Sequence, residues 1–194
     1  MNKFNASFWG EKYESNTTGW DLGKASTPIK EYIEQLEDKS ISILIPGCGN
    51  GYEAEFLHNS GFTNVNVLDI TKQPLENFSQ RVSSFPTKNL IHGDFFKHKS
   101  QYDLILEQTF FCALDPKFRP SYAEKMHELL KDSGKLTGLL FDFPLTEEGP
   151  PFGGCINEYI AVFSKRFHIK TMEASHNSIE SRNGKELFVI FEKK

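Results

Sequence analysis

The residues of this chain that could do chemistry gather where an apolar run breaks. Ile41-Ser42-Ile43-Leu44-Ile45 leads into Pro46-Gly47-Cys48-Gly49-Asn50-Gly51-Tyr52, three alternating glycines and then a helical pattern. That order predicts a strand, a tight turn and a helix. Glycines at positions 47, 49 and 51 admit positive φ and leave no Cβ between the turn and a ligand, so backbone amides can approach a polar group closely. About 20 residues further on, Val65-Asn66-Val67-Leu68-Asp69 is a second apolar strand ending in a carboxylate, placed as ribose-gripping acids are in Rossmann-like folds. Two adjacent strand ends would then hold one nucleoside. A plain structural turn competes with this reading, and the downstream acid argues against it.

Further chemistry stands at the later strand ends. Gly93-Asp94-Phe95-Phe96 offers an acid and a ring that suit an adenine, or else an Asx-type turn with a packed Phe. Glu107-Gln108-Thr109-Phe110-Phe111-Cys112 falls where a parallel sheet delivers side chains to its ligand crevice. Arg119 either steers an anion or is a helix N-terminal surface arginine paired to a carboxylate.

These residues need a scaffold, and the periodicity supplies one. Strands are expected over residues 41–45, 65–68, 89–92, 102–106, 135–143, 167–173 and 186–191. Helices are expected over 28–37, after the glycine turn to a stop at Gly61, from Thr71 to a stop before Pro86, from Arg119-Pro120 to Ser133-Gly134, and near 156–164. Alternating β and α elements predict an α/β, doubly wound, mostly parallel sheet, with the last two strands forming an antiparallel C-terminal edge. The segment 1–25 holds Trp9, Tyr13 and Trp20 without a clean period, and reads either as a lid over the site or as a terminal arm packed on the core. The loop 144–154 reads as a substrate rim or a linker.

Composition excludes several classes. A chain of 194 residues with 38% hydrophobic content predicts one domain, 1–194. No apolar run reaches the roughly 20 residues of a membrane helix, and the start at Met1-Asn2-Lys3 lacks a signal-peptide core, so a cytoplasmic protein is expected. A net charge of −4 without a basic block argues against nucleic acid and anionic membranes and points to a small-molecule partner; the oligomeric state is not legible in the sequence, and a monomer is the expectation. Cys48, Cys112 and Cys155 lack metal-ligand or disulfide spacing, and no metal is expected.

The G-x-G-x-G spacing departs from the dinucleotide fingerprint G-x-G-x-x-G and resembles motif I of S-adenosylmethionine (AdoMet) methyltransferases. Assembled, the chain resembles the thiopurine S-methyltransferase family, and most closely its halide and thiol (thiocyanate) branch, known in plants as harmless-to-ozone-layer proteins. The pieces that carry the resemblance are Gly19-Trp20-Asp21-x-Gly23, Pro46-Gly47-Cys48-Gly49, Phe110-Phe111-Cys112-Ala113 with Arg119-Pro120, Met126-His127-Glu128-Leu129-Leu130, and Arg182-x-Gly184-Lys185-Glu186. It implies a Rossmann-like class I AdoMet-dependent methyltransferase fold. It further implies that Trp9, Tyr13 and Trp20 line the cofactor pocket from the lid, that Gly47 and Gly49 meet the cofactor, that Asp69 binds the ribose hydroxyls, and that Asp94 and Phe95 flank adenine. Gln108 joins this cofactor set, standing where the plant branch has tyrosine; Tyr13 and Tyr122 stand where it has tryptophan.

The expected reaction is in-line transfer of the AdoMet methyl group to a small soft nucleophile: a thiol, thiocyanate, hydrogen sulfide or halide. Aromatic faces attract a sulfonium, and aromatic walls suit soft, polarisable anions better than hard ones, which makes Phe110, Phe111, Phe143 and Phe152, with Arg119, the candidate substrate wall. No catalytic base is assigned, and Glu107 and Asp142 remain as possible ones. The alternatives are a thiopurine-type aromatic thiol S-methyltransferase, an NAD-type oxidoreductase disfavoured by the glycine spacing, and a non-catalytic AdoMet-binding module.

Overall fold

Seven strands form one sheet in the order β3-β2-β1-β4-β5-β7-β6 in the computed structural model, which describes residues 3–194. Met1 and Asn2, the first residues of the expected lid segment, lie outside the described residues. The chain runs α1 (Ala6–Glu14), α2 (Thr27–Glu34), β1 (Ile43–Pro46), α3 (Tyr52–Asn59), β2 (Val65–Asp69), α4 (Lys72–Arg81), β3 (Leu90–His92), β4 (Tyr102–Gln108), α5 (Arg119–Leu129), β5 (Leu130–Phe141), α6 (Ile156–Phe163), β6 (Phe167–Ala174) and β7 (Glu186–Lys193). Strands β3, β2, β1, β4 and β5 pair in parallel. Strand β7 lies antiparallel between β5 and β6, the expected antiparallel edge.

The central strands are apolar at successive positions because both sheet faces are covered. Ile43, Ile45, Leu104 and Leu106 pack with Ile29, Leu57, Leu75 and Phe78 from α2, α3 and α4. Leu44 and Ile105, pointing the other way, pack with Tyr122, Met126 and Leu129 of α5 and with Phe163 of α6. The alternation along each strand divides the core into two layers. Both layers leave the carboxyl ends of β1, β2, β3 and β4 on one rim.

Several boundaries differ from expectation: α2 ends at Glu34 rather than 37, α4 at Arg81, β4 runs on to Gln108, and β5 spans Leu130–Phe141 rather than 135–143. Helix α5 stops at Leu129 rather than at Ser133-Gly134, and Leu130 enters β5 directly, opposite Tyr102. Gly134 is pressed against backbone, since a Cβ there would stand 2.9 Å from the Lys131 oxygen and 3.1 Å from that of Tyr102. Its lack of a side chain serves a bulged strand start, not a helix cap. At α2 the N-cap is Ser26, whose hydroxyl donates to Gln108 Oε1 at 3.3 Å instead of capping the helix. Its N–H donates to Glu53 Oε1 at 3.0 Å, tying the start of α2 to α3.

Candidate active site

The turn after β1 is built by geometry only glycine tolerates. Gly47, Gly49 and Gly51 have φ of 57°, 52° and 71°. A Cβ at Gly47 would fall 2.3 Å from Phe110 Cδ2, and one at Gly51 would fall 2.9 Å from Phe78 Cγ. The spacing therefore satisfies both a left-handed path and close packing. Cys48 N–H donates to the Leu68 carbonyl at 3.2 Å, so the turn is held to the end of β2.

There Asp69 collects donors. Its Oδ2 accepts from Gly49 N–H at 3.0 Å, and its Oδ1 accepts from Thr71 N–H at 2.8 Å and Thr71 Oγ1 at 2.7 Å. Burial raises its pKa, opposed by these same hydrogen bonds. A carboxylate offers about four lone-pair sites, so three protein donors leave capacity for a ligand hydroxyl on the side that faces a cavity. At the next strand end, Asp94 accepts from Phe96 N–H at 2.9 Å in an Asx turn, and buried Phe95 meets the Phe110 ring edge-on at 5.1 Å.

The N-terminal segment covers this rim. Helix α1 buries none of its residues, yet Phe8, Trp9 and Tyr13 are half-buried and line the cavity. Edge-to-face contacts run from Phe8 to Trp9 at 5.1 Å, Trp9 to Trp20 at 5.2 Å and Trp20 to Tyr13 at 5.8 Å. Burial, then the neighbouring Asp69 carboxylate, pushes the Tyr13 hydroxyl well above its ordinary range. The following residues are pinned from two sides. Asn50 Nδ2 donates to Asp21 Oδ2 at 2.5 Å, and buried Arg182 donates through Nη2 to the Trp20 carbonyl at 2.8 Å.

A cavity of about 1130 Å³ lies beneath this cover. Trp9, Tyr13, Trp20, Gly47, Gly49, Asp69, Asp94, Phe95, Gln108 and Phe110 all line it, so residues expected at the site from five separate stretches are brought together. Phe111, Arg119, Phe143 and Phe152 do not line it. Phe111 is buried between Tyr122, Tyr159 and Phe163. Arg119, only 2% exposed, donates to Glu158 Oε1 at 2.5 Å and to the Gly153 carbonyl at 2.6 Å, with its guanidinium 4.9 Å from the Phe111 ring centre. It is neither a surface arginine nor a cation in the cavity; it anchors the 144–154 loop and α6. Phe143 bridges Gly154 across that loop and packs on Phe141, while Phe152 donates its N–H to the Cys112 carbonyl at 2.8 Å and meets Phe4 edge-on. These residues back the wall rather than face the cavity.

The facing rings on that side are Phe8, Phe96, Phe110 and Phe118, with Arg182 as the buried cation. Arg182 and Phe118 line the cavity without being among the residues expected there from the sequence. Arg182 did fall in one of the motifs singled out from the sequence, without a role attached. Phe118 carried no signal beyond its place just before Arg119-Pro120. Among the described residues, no group of His, Cys, Asp and Glu could hold a metal ion, and no helix is long and apolar enough to cross a membrane.

A parallel sheet whose left-handed glycine turn faces a part-free buried carboxylate, beneath an aromatic cover, is what a nucleoside bearing a sulfonium requires. The architecture is that of the class I AdoMet-dependent methyltransferases, and AdoMet is the cofactor that fits. A solved methyltransferase of Burkholderia thailandensis that acts on 1,6-didemethyltoxoflavin, with S-adenosylhomocysteine bound, superposes with a TM-score of 0.79 over 97% of this chain and 87% of its own, at 14% identity. The thiopurine S-methyltransferase family model matches residues 4–194, and the chain belongs to that family of AdoMet-dependent methyltransferases. A probable thiol methyltransferase 2 of Arabidopsis thaliana is 33% identical over 82% of this chain and 72% of its own length. Thiocyanate methyltransferase 1 of Brassica oleracea is 30% identical over 92% of this chain and 81% of its own.

Proposed function

We propose that this enzyme methylates a small soft sulfur nucleophile, a thiolate, hydrosulfide or thiocyanate, with halide as a further acceptor, by direct in-line displacement and without a protein base. The observation that carries the reading is the state of the acids and rings around the cavity. Glu107, at the end of β4, lies behind the wall and engages both oxygens with Phe110 N–H, Phe111 N–H and the Tyr122 hydroxyl. The cavity-lining carboxylates of Asp21, Glu53, Asp69 and Asp94 each accept protein hydrogen bonds, and among the described residues no histidine lines the cavity. The acceptor side is aromatic. The names of the plant relatives favour the same acceptor class.

In this reading the chain's own residues bind, orient and dry the reactants. Asp69 takes the ribose hydroxyls with its spare lone pairs, Asp94 and Phe95 border the adenine, and Gly47 and Gly49 let backbone approach the methionyl end. Gln108, which accepts from the Ser26 hydroxyl, lines the same cavity. Bound AdoMet supplies an electrophilic methyl on a sulfonium and leaves as a neutral thioether, so an anionic acceptor and the sulfonium neutralise each other. Trp9, Trp20 and Phe110 exclude water, which strengthens that attraction and removes the solvent shell of the anion. Soft anions shed water most easily and, being polarisable, gain most from dispersion contact with aromatic side chains and from their electropositive edges. Three unpaired cysteines suit the reducing cytoplasm that we infer as its compartment.

One feature favours a second reading. A cavity of about 1130 Å³ exceeds the roughly 300–1,000 Å³ typical of a site for one drug-sized ligand, which leaves room for an aromatic thiol beside the cofactor. A turnover panel decides between them: AdoMet with thiocyanate, hydrosulfide, iodide, small alkyl thiols and a thiopurine, with volatile and non-volatile methyl products quantified. Highest kcat/KM for the small anions supports the first reading. Preference for the thiopurine supports the second, and cofactor binding without methylated product from any of them rejects both.

A further inference from the structure

Glu107 is a buried acid that the proposed mechanism does not use. It is 1% exposed and stands where three parts of the site meet. Its Oε1 accepts from Phe110 N–H at 2.7 Å and Phe111 N–H at 2.9 Å, and its Oε2 accepts from the Tyr122 hydroxyl of α5. Between Glu107 and Phe110, Thr109 is held at φ 57°, a left-handed conformation that a β-branched residue rarely adopts. The Phe110 ring then packs where a Cβ on Gly47 would be. One carboxylate thus fixes the turn on which a cofactor-side glycine and an acceptor-side ring rest against each other.

We infer that Glu107 is a positioning residue for methyl transfer: ionised, it locks the turn at Thr109 and Phe110 against Gly47, and protonated, it loosens that lock and weakens acceptor binding. The inference rests on the reading of the site as one for methyl transfer to a small acceptor. Hydrogen bonds to an ionised acceptor are roughly twice as strong as those between neutral groups. A proton on Oε2 would also face the Tyr122 oxygen, leaving the hydrogen of that fully buried hydroxyl without an acceptor.

The groups that face Glu107 do not cancel its charge. Tyr122 from α5 and Cys112 from the 111–113 turn are its titratable neighbours, and burial pushes both above their ordinary ranges. Strand β5 brings backbone rather than a cation, since a Cβ on Gly138 would fall 2.0 Å from the Glu107 carbonyl oxygen. Burial lifts the Glu107 carboxyl to about 7 against the pull of Tyr122 and the Phe111 and Phe110 amides. The exchange between its two forms therefore falls near neutrality.

The test uses thiocyanate, which does not titrate in this range, as acceptor for the whole protein with saturating AdoMet. For the wild type, KM for thiocyanate is expected to rise about tenfold between pH 8 and pH 6, with a smaller change in kcat. Glu107→Gln keeps an oxygen for the two amides but must donate to Tyr122, as the protonated acid does. It is expected to show a pH-independent KM near the low-pH value of the wild type. Tyr122→Phe removes a bond that lowers the Glu107 pKa, so its limb should move to higher pH. A wild-type limb that persists unchanged in Glu107→Gln, or a wild-type KM that is flat, overturns the inference. Thiocyanate left unmethylated by every variant counts instead against the acceptor reading. Glu107 is then judged by amide hydrogen exchange with S-adenosylhomocysteine bound. Protection of Phe110 and Phe111, corrected for intrinsic rates, should fall from pH 8 to pH 6 in the wild type and stay level in Glu107→Gln; equal profiles overturn the inference.

Discussion

At the end of the cavity formed by β1 and β2, donors from the glycine turn and from the residue before α4 converge on a single acid, with Gly49 and Thr71 both bonded to Asp69. At the end formed by β4 and α5, rings from separated segments close on one another, with Phe95 against Phe110 at 5.1 Å and Phe96 against Phe118 at 5.8 Å. Directional bonds hold the first region directly; in the second, ring contact makes the surface and the Glu107 bonds behind it fix only the turn that carries Phe110. The first should therefore tolerate almost no substitution and bind one cofactor. The second should yield gradually and set the choice of acceptor.

The sharpest way to break this contrast is Gly47→Ala, which touches both ends at once. A positive φ costs a β-carbon residue about 1–3 kcal/mol, and overpacking adds about 1–3 more, since the new methyl would lie 2.3 Å from Phe110. Thermal denaturation should show a fall of roughly 4–24 °C for a chain of this size, with binding of S-adenosylhomocysteine lost or strongly reduced. An unshifted melting temperature would mean that Phe110 is free to move away.

Next comes Asp69→Ala, which acts on the cofactor end alone. Loss of hydrogen bonds to a charged group costs about 1.5–3 kcal/mol, so calorimetric affinity for S-adenosylhomocysteine should drop roughly ten- to a hundred-fold. At saturating AdoMet the acceptor KM should hold. A parallel loss of acceptor binding would show that the two ends are coupled.

The pH dependence of stability isolates Glu107. Its folded pKa, about 7, lies above that of an unfolded glutamate, so its stabilising contribution is complete below the unfolded value and is lost as pH rises through about 7. The difference corresponds to roughly 3 kcal/mol at alkaline pH. Denaturant melts of Glu107→Gln should therefore match or exceed the wild type at pH 9 and lose that advantage at pH 5. An advantage that is the same at both values would show that the carboxyl does not titrate on folding. The acid that positions the acceptor wall is then one that the fold would hold more easily neutral.

Smaller effects separate a wall residue from its backing. Phe118→Ala removes a facing ring whose pairing is worth about 0.5–1.5 kcal/mol, and acceptor KM should rise about two- to ten-fold with cofactor affinity intact. Arg119→Gln removes a buried cation that holds Glu158 and the Gly153 carbonyl, and should lower stability by about 1–3 kcal/mol. Below its melting transition, its acceptor KM should stay near that of the wild type. The reverse pattern, a stable Arg119→Gln with a large rise in KM, would put the arginine in the acceptor site.

The same contrast explains what could be read before the structure. Gly47, Gly49 and Asp69 are legible because strand, turn and acid are local signals in consecutive strands, and the alternation of elements gives the sheet. Arg182 is not, because its partner Trp20 is 162 residues away in the chain. Arg119 is recognisable as a cation at a helix start, but whether it faces the cavity depends on Glu158 and Gly153, which reach it from α6 and the loop before it. Adjacent phenylalanines point in different directions, so Phe110 lines the cavity while Phe111 enters the core. That orientation is set by the Glu107 bonds and the left-handed Thr109, neither of which a run of aromatic residues reveals.

Direct displacement without a protein base is tested most plainly by a ratio. For a thiol and thiocyanate assayed in the same buffers from pH 6.5 to 9, kcat/KM for the thiol divided by that for thiocyanate cancels any titration of the enzyme that both acceptors share, Glu107 included. The ratio should rise in proportion to the thiolate fraction of the free thiol and level off above the thiol's own pKa. A ratio that stays flat while the thiolate fraction climbs would show that the enzyme takes the proton itself, and would contradict the account.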